Sequence, residues 1–345
     1  MPQPLRFSRT NGPVDDAIDR LIDLVGPVHH PDLVREMILA ALKAGQETSD
    51  RGDLRLMNIS LKEMRFTSKV FGPYRGVRKV TVFGSARTRP QEPIYAMARE
   101  FGRALARAGY MVITGGGPGI MQAAHEGAGP EMSFGVNIRL PFEQRPNPVI
   151  EKTPRLITYH YFFNRKVAFL KEAHAVALFP GGFGTLDEAM ETLTLVQTGK
   201  QPPIPLVLID EPGGTYWDRW IRFFERELLG DGYISPSDLL LFQRAGSVED
   251  ALGIIQRFYR RYHSLRYVNG RLVLRLTEPL PAGAVERLTR EFAEILTPGG
   301  TITPSGALPQ EADEPEIHHL PRLVVDFVKR DFGLLRKMID RINGF

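Results

Sequence analysis

Apolar residues recur at helical spacing three times near the start of the chain: in VDDAIDRLIDLV after Pro13, in PDLVREMILAALKAG from Pro31, and in DLRLMNISLKEMRFTSKVF up to Phe71. Gly12, Pro27, Pro31 and Gly45 punctuate these runs, so the pattern predicts an all-helical N-terminal extension over residues 1–75. At Gly76 the texture changes. KVTVFGS (79–85) is a short β-branched run ending in small residues; the helical YAMAREFGRALARAG follows, then a second strand, YMVITGGG (110–117). A helix from about Ile120, the strand MSFGVNI, a strand around RLITYHY, a helix to Glu172, the strand AVALFP and a helix after Thr185 continue the alternation. PLVLID (205–210) and the helix TYWDRWIRFFERELL extend it, and AGSVEDALGIIQRFYRRYH closes it. Such alternation predicts an α/β domain over residues 76–263, with a mostly parallel sheet sandwiched by helices. Residues 264–345 read as a small α+β appendage, because RLVLRL and LVVDF have strand character while AGAVERLTREFAEIL and FGLLRKMIDRI have helical character. Its middle, TPGGTITPSGALPQEADEPE, is rich in Gly, Pro and acids and reads as a mobile loop that could serve as a lid.

Composition narrows the chemistry. The 345 residues contain no cysteine, which removes disulfides, thiolate nucleophiles and cysteine-based zinc sites and points to a reducing cytoplasm. Lys and Arg total 44 against 40 Asp and Glu, and the sequence pI is 9.2. That slight basic bias suits an anionic small molecule as well as nucleic acid, and in the basic tail FVKRDFGLLRKMIDR the interspersed acids favour a solvated amphipathic helix over a nucleic-acid surface. No apolar run approaches the roughly 20 residues a membrane-spanning helix needs, so a soluble protein is expected.

Two glycine turns follow apolar strands, and in a parallel sheet such turns lie where unpaired helix amides offer a positive pole to an anion. The first, ITGGGPGIMQAA (113–124), is not a dinucleotide fingerprint: position 120, where that spacing requires glycine, is isoleucine, and the turn follows the second strand. Neither turn continues into the Gly-Lys-Ser/Thr of a P-loop. In the second, LFPGGFGTLDEAMETL (178–193), Gly181, Gly182 and Gly184 let the backbone wrap tightly and Thr185 stands where an N-cap hydroxyl would sit. Glu188, three residues on, has two readings. It completes a T-x-x-E capping box, or it brings a carboxylate to the mouth of an anion site, where it would activate water or stabilise a developing sugar cation. Asp187 should point away into solvent. Upstream, Arg165 and Lys166 sit early on the helix of YHYFFNRKVAFLKEA at the same sheet edge, where a solvated helix face is the simpler reading and an anion contact the sharper one. The pairs His29-His30 and His318-His319 cannot both face one site, and no metal centre is expected.

Taken together and in order, PGGFGTLDE, TGGGPGIMQAA, FFNRK and VFGSART resemble the motifs of the LOG (Lonely Guy) family, nucleoside 5'-monophosphate phosphoribohydrolases formerly labelled lysine decarboxylases. The resemblance covers about residues 77–259. It implies a Rossmann-like sandwich, commonly dimeric, with a site shared across the dimer, and hydrolysis of a nucleoside 5'-monophosphate to free base and ribose 5-phosphate without cofactor or metal. By the same resemblance Arg165 and Glu188 would be catalytic. Gly181, Gly182, Gly184 and Thr185 would hold the 5'-phosphate with help from Gly116 and Gly117, Lys166 would stand beside Arg165 in the pocket, and Ser85 would lie near the nucleotide. Short cytokinin-activating members carry His-Glu before Arg-Lys, where this chain has Phe163-Asn164, and they lack both terminal extensions, so the longer bacterial subgroup is the nearer match and a purine monophosphate such as AMP the default substrate. The alternative is a nucleotide- or cofactor-binding carrier without chemistry. Lysine decarboxylation fails because no lysine stands in a recognisable pyridoxal phosphate setting.

Overall fold

The computed structural model describes residue 7, residues 9–141 and residues 145–345. Two compact units divide the chain within its third helix, one in residues 1–65 and the other in 66–345. The first holds helices α1 (Pro13–Val25), α2 (Pro31–Glu47) and the start of α3 (Arg51–Phe71). Proline opens both α1 and α2, where its missing N–H costs nothing. Ile18 and Leu39 are buried there, and so is the ion pair between Arg35 and Asp15.

The second unit begins with the end of α3 and continues through β1 (Lys79–Phe83), α4 (Pro93–Arg107), β2 (Met111–Thr114), α5 (Ile120–Ala128), β3 (Ser133–Ile138), β4 (Leu156–Tyr159), α6 (Phe162–Lys171), β5 (Ala175–Leu178), α7 (Phe183–Gln197), β6 (Leu206–Ile209), α8 (Tyr216–Phe223), β7 (Gln243–Ala245) and α9 (Val248–Phe258). Strands β1 to β7 form one parallel sheet in the order β4-β3-β2-β1-β5-β6-β7. Because these strands are covered on both faces, β2, β5, β6 and β1 from Val80 onward are unbroken apolar or β-branched runs rather than alternating ones. Their side chains still divide by pleat. Val80 and Val82 of β1 join Ala175, Ala177, Val207 and Ile209 in a core with α4, α5 and α9, while Phe83 faces the opposite core with Ile113, Val176, Leu178 and Phe169. The chain moves outward one way from β1 to β4 and returns to add β5, β6 and β7 on the other side, so the order reverses between β1 and β5. Such a reversal leaves a crevice at the strands' carboxyl ends.

The C-terminal elements are β8 (Tyr262–Val268), β9 (Arg271–Leu276), α10 (Ala284–Glu291), β10 (Ile302–Ser305), β11 (Arg322–Val325) and α11 (Phe332–Asn343). The four strands form an antiparallel sheet in the order β10-β11-β9-β8. Leu272, Leu274, Leu276, Leu323 and Leu335 belong to the same apolar cluster as Val80 and Val82, so this sheet shares a core with the parallel one. Residues 297–316, expected to be a mobile loop, are ordered. They contribute β10 and two short 3-10 turns, and Glu311 is fully buried between Arg275 and Arg322. Burial alone would raise that carboxyl, but the Leu308 amide and the two guanidinium groups hold it at about 2. A Gly- and Pro-rich composition does not reveal a cross-strand ladder or a buried ion cluster made with residues elsewhere in the chain.

Candidate active site

The second glycine turn borders the crevice between β1 and β5. The Ser85 amide donates to the Pro180 carbonyl at 3.0 Å and the Phe179 amide to the Phe83 carbonyl at 2.9 Å, which ties the turn after β5 to the turn after β1. A Cβ on Gly181 would lie 2.2 Å from Thr185 Oγ1 and 3.0 Å from the Ser85 nitrogen, so only glycine fits. The helix begins earlier than expected: Gly182 is the N-cap of α7, and the Thr185 and Leu186 amides already donate to its carbonyl at 3.0 and 3.2 Å. Thr185 is therefore in the first helical turn rather than at the cap, and the capping-box reading of Glu188 falls away with it. The first amides of a 15-residue helix remain unpaired by the helix itself and sit at its positive end. The cleft they border has a volume of about 800 Å³, and its walls include Ser85, Arg87, Arg165, Gly181, Gly182, Gly184, Thr185 and Glu188.

Glu188 is 5% exposed, and its Oε2 has no hydrogen-bond partner among the described residues. Burial raises its pKa to about 7, against the opposing pull of Lys166 and Arg165. Arg165 reaches the cleft from the first turn of α6. Its Nε donates to the Val136 carbonyl at 3.0 Å, and its guanidinium lies 5.1 Å from the Phe169 ring centroid and 5.8 Å from that of Phe162. Burial lowers its pKa from the ordinary value, while the Glu188 charge raises it. The guanidinium occupies space over Gly115, where an added Cβ would come within 2.6 Å of Nη2. Lys166, by contrast, does not border the cleft. It is held by Asp187 at 2.8 Å and Glu191 at 2.6 Å, and it stands 3.8 Å from Glu188. Burial lowers its pKa, but the hydrogen bonds it donates to those carboxylates win and the net shift is upward. Asp187, expected to be solvated, is half-exposed and serves as one of these anchors.

The first glycine turn is built differently. Asn147 grips it, donating from its amide to the Gly116 carbonyl at 2.7 Å and from Nδ2 to the Gly117 carbonyl at 3.1 Å. Nδ2 also lies 3.1 Å from His125 Nδ1, while His125 Nε2 faces the Phe134 carbonyl and Thr114 Oγ1. Burial lowers the His125 pKa to about 4, which keeps the ring neutral. Gly116 and Gly117 are buried and are not among the residues bordering the cleft. Met121, from the helix that this turn starts, does border it.

Several cleft residues went unread in the sequence. Tyr216 donates from Oη to the Gly181 carbonyl at 2.7 Å, and its neighbour Trp217 donates from Nε1 to the Leu178 and Ile209 carbonyls at 2.9 and 3.1 Å. Together they brace the glycine turn from α8. Their signal was positional, since α8 follows β6 at the same strand edge. Phe162, Arg87, Trp220 and Asp187 also line the walls, and Phe183 projects from the rim with 93% exposure. Among the described residues no group of three or more His, Asp or Glu side chains could hold a metal ion.

The family described as "Possible lysine decarboxylase" matches residues 118–255, a stretch that contains α6, the second glycine turn and Glu188. A protein of Oryza sativa subsp. japonica named probable cytokinin riboside 5'-monophosphate phosphoribohydrolase is 26% identical over 187 residues, covering 52% of this chain and 72% of its own. A pyrimidine/purine nucleotide 5'-monophosphate nucleosidase of Escherichia coli K12 is 26% identical over 200 residues, covering 52% of this chain and 43% of its own. Among solved structures, the molybdenum cofactor carrier protein of Chlamydomonas reinhardtii is 21% identical, covering 52% of this chain and 97% of its own, with a TM-score of 0.35. The resemblance seen in the sequence motifs therefore holds for the central domain, at low identity.

Proposed function

We propose that the protein hydrolyses the N-glycosidic bond of a nucleoside 5'-monophosphate, a purine nucleotide such as AMP in the first instance, releasing free base and ribose 5-phosphate. The observation that carries this reading is a buried carboxylate, Glu188, sharing one cleft with Arg165 and with the positive end of α7. The amides of Gly182 and Gly184 and the Thr185 hydroxyl would hold the 5'-phosphate, with Ser85 on the facing turn. As the C1'–N bond lengthens, positive charge spreads over the ribose ring. The ionised Glu188 carboxylate stabilises that charge and draws a proton from the attacking water, whose oxygen bonds to C1' while the base leaves with the electron pair; the base takes up a proton from solvent and Glu188 returns its own to solvent. Arg165 faces the same reacting region as a fixed cation. Lys166 acts through Glu188, together with Asp187 and Glu191, and is a positioning residue. Gly116 and Gly117 would support the site from behind through the Asn147 and His125 network. The N-terminal helices and the C-terminal sheet are assigned no part in the chemistry.

The names of the two relatives support this reaction class, and the names of the rice and bacterial proteins differ in the base they specify. We further propose that the protein works as a homo-oligomer in the cytoplasm. Phe183, Phe162, Phe163 and Val167 form an exposed apolar rim beside the cleft, which a second copy would cover. Incubation with a panel of nucleoside monophosphates tests the activity: base and ribose 5-phosphate should appear with wild type and be lost with Glu188→Gln and Arg165→Ala, the former still binding nucleotide. Tight AMP binding with no base released from any nucleotide would turn the reading to a carrier.

A further inference from the structure

At the opposite end of the parallel sheet lies a second cleft, of about 950 Å³, which no part of the proposed reaction uses. Its walls include Arg75 and Arg78 ahead of β1, Tyr110 ahead of β2, His174 ahead of β5, and His263, Arg275 and Glu314 from the C-terminal sheet and its connections. The size suits a metabolite rather than a few waters.

The charges in it do not cancel. Arg275 is neutralised by Glu311 and Glu314, and Glu314 is shared with Arg266. Among the described residues Arg75 and Arg78 have no carboxylate within ion-pair distance. Arg75 is exposed, and the Arg78 guanidinium stacks over the Tyr259 ring at 4.0 Å, which fixes its plane. The one acid in the walls left without a cation is the exposed Glu316.

Two imidazoles face this field. His174 accepts the Lys79 amide on Nδ1 at 3.2 Å, its carbonyl accepts the Tyr259 hydroxyl at 2.6 Å, and His263 lies against the Ser264 hydroxyl at 2.9 Å. Burial, followed by the Lys79 and Arg78 charges, lowers the His174 pKa to about 4, and burial with Arg78, Arg275 and Arg322 lowers that of His263. Both rings are therefore neutral at pH 7 and available as hydrogen-bond donors. Two unpaired guanidinium groups, one pre-oriented by an aromatic face, and two neutral imidazoles in a metabolite-sized cleft match the needs of a phosphate oxygen cluster.

We propose that this cleft is a second ligand site, taking a small phosphate-bearing anion held by Arg75 and Arg78 against His174 and His263. The inference stands independently of the catalytic reading, since it uses none of the residues assigned there.

The test uses the full-length protein and inorganic pyrophosphate as the probe. By isothermal titration calorimetry in low salt, the Arg75→Gln/Arg78→Gln variant should bind one pyrophosphate fewer per chain than wild type, and Glu188→Gln should keep that site. Arg75→Gln alone, at an exposed position that cannot unfold the protein, should weaken it at least fivefold, while Arg78→Lys should keep the protein folded and retain part of the affinity. In side-chain NMR spectra, pyrophosphate should shift the His174 and His263 imidazole signals of wild type, raise their apparent pKa values as the anion offsets the cations, and leave those of the double variant unmoved. Equal stoichiometry and affinity in wild type and the double variant, or histidine signals that ignore the probe, would overturn the proposal. Absence of nucleotide turnover in wild type, with this binding intact, would count against the catalytic reading alone.

Discussion

Replacing Glu188 by glutamine should make the stability of the protein markedly less dependent on pH. The carboxyl is 5% exposed and its ordinary pKa of 4.5 is raised to about 7, chiefly by burial. Below pH 4.5 it is protonated in both the folded and the unfolded chain and contributes nothing. Between 4.5 and 7 the folded state keeps a proton that the unfolded chain has released, so wild-type stability falls as pH rises. Above pH 7 the penalty is complete, at roughly 3 kcal/mol if each tenfold change in proton affinity is taken as about 1.4 kcal/mol. Glutamine keeps the shape and cannot ionise. Lys166 retains Asp187 and Glu191, and Arg165, which loses the nearby charge, keeps its hydrogen bond to the Val136 carbonyl. Burying the new amide adds a cost of its own, but that cost is the same at every pH and cancels from a difference. The melting temperature of the variant minus that of wild type should therefore rise by about 5 °C between pH 4.5 and 8.5, followed by calorimetry or intrinsic fluorescence. A difference that stays flat over this range would refute the raised pKa, and one that falls would refute its sign.

The remaining predictions concern the same cleft and the C-terminal sheet. Because Glu188 acts as the carboxylate, kcat/KM for nucleotide hydrolysis should rise about tenfold per pH unit below neutrality and level off above about pH 7; a profile that falls through this range would assign the group as an acid. Gly115→Ala places a methyl 2.6 Å from Arg165 Nη2 and 2.9 Å from Met121 Sδ, both ends of flexible side chains, so stability should drop by less than about 2 kcal/mol. Turnover should nevertheless fall by about 10- to 100-fold as the guanidinium is displaced, which steady-state kinetics beside a thermal melt will separate. Glu311→Gln leaves Arg275 and Arg322 buried without their shared carboxylate and should cost about 3–5 kcal/mol in urea unfolding at pH 7. Since that carboxyl is held at about 2, wild type keeps the stabilisation above pH 4.5 and loses it as pH falls toward 2, so the two proteins should converge in acid.

The sheet was legible because strands buried on both faces write themselves as apolar runs such as KVTVF and AVAL, and the glycine turns mark their ends. The last strands were harder. In the run expected to close the domain, helix α9 ends at Phe258 and the final residues open β8, whose polar positions YHSLRYV hide the ladder to β9. Glu188 and Arg165 were readable as candidates from their place after β5 and before it. What the sequence could not tell is which of two similar glycine turns borders the cleft. That depends on Asn147, His125 and Thr114, three residues scattered over a loop, a helix and the end of a strand, closing a hydrogen-bond network around Gly116. Nor could it show that α7 starts at Phe183, two residues before the threonine that looks like its cap.

Strand β1 is five residues long, about 16 Å of extended chain, and both of its ends open into a cleft. Its ladder is locked on each side, Val80 against Val112 and against Ala175. A one-residue slip would turn Val80 and Val82 to the wrong core and in the same step carry Ser85 and Arg78 out of place. The two clefts therefore cannot drift apart by insertion or deletion between them. Any lineage that lengthens this strand must rebuild both at once, and variation is left to point substitutions in the turns at either end.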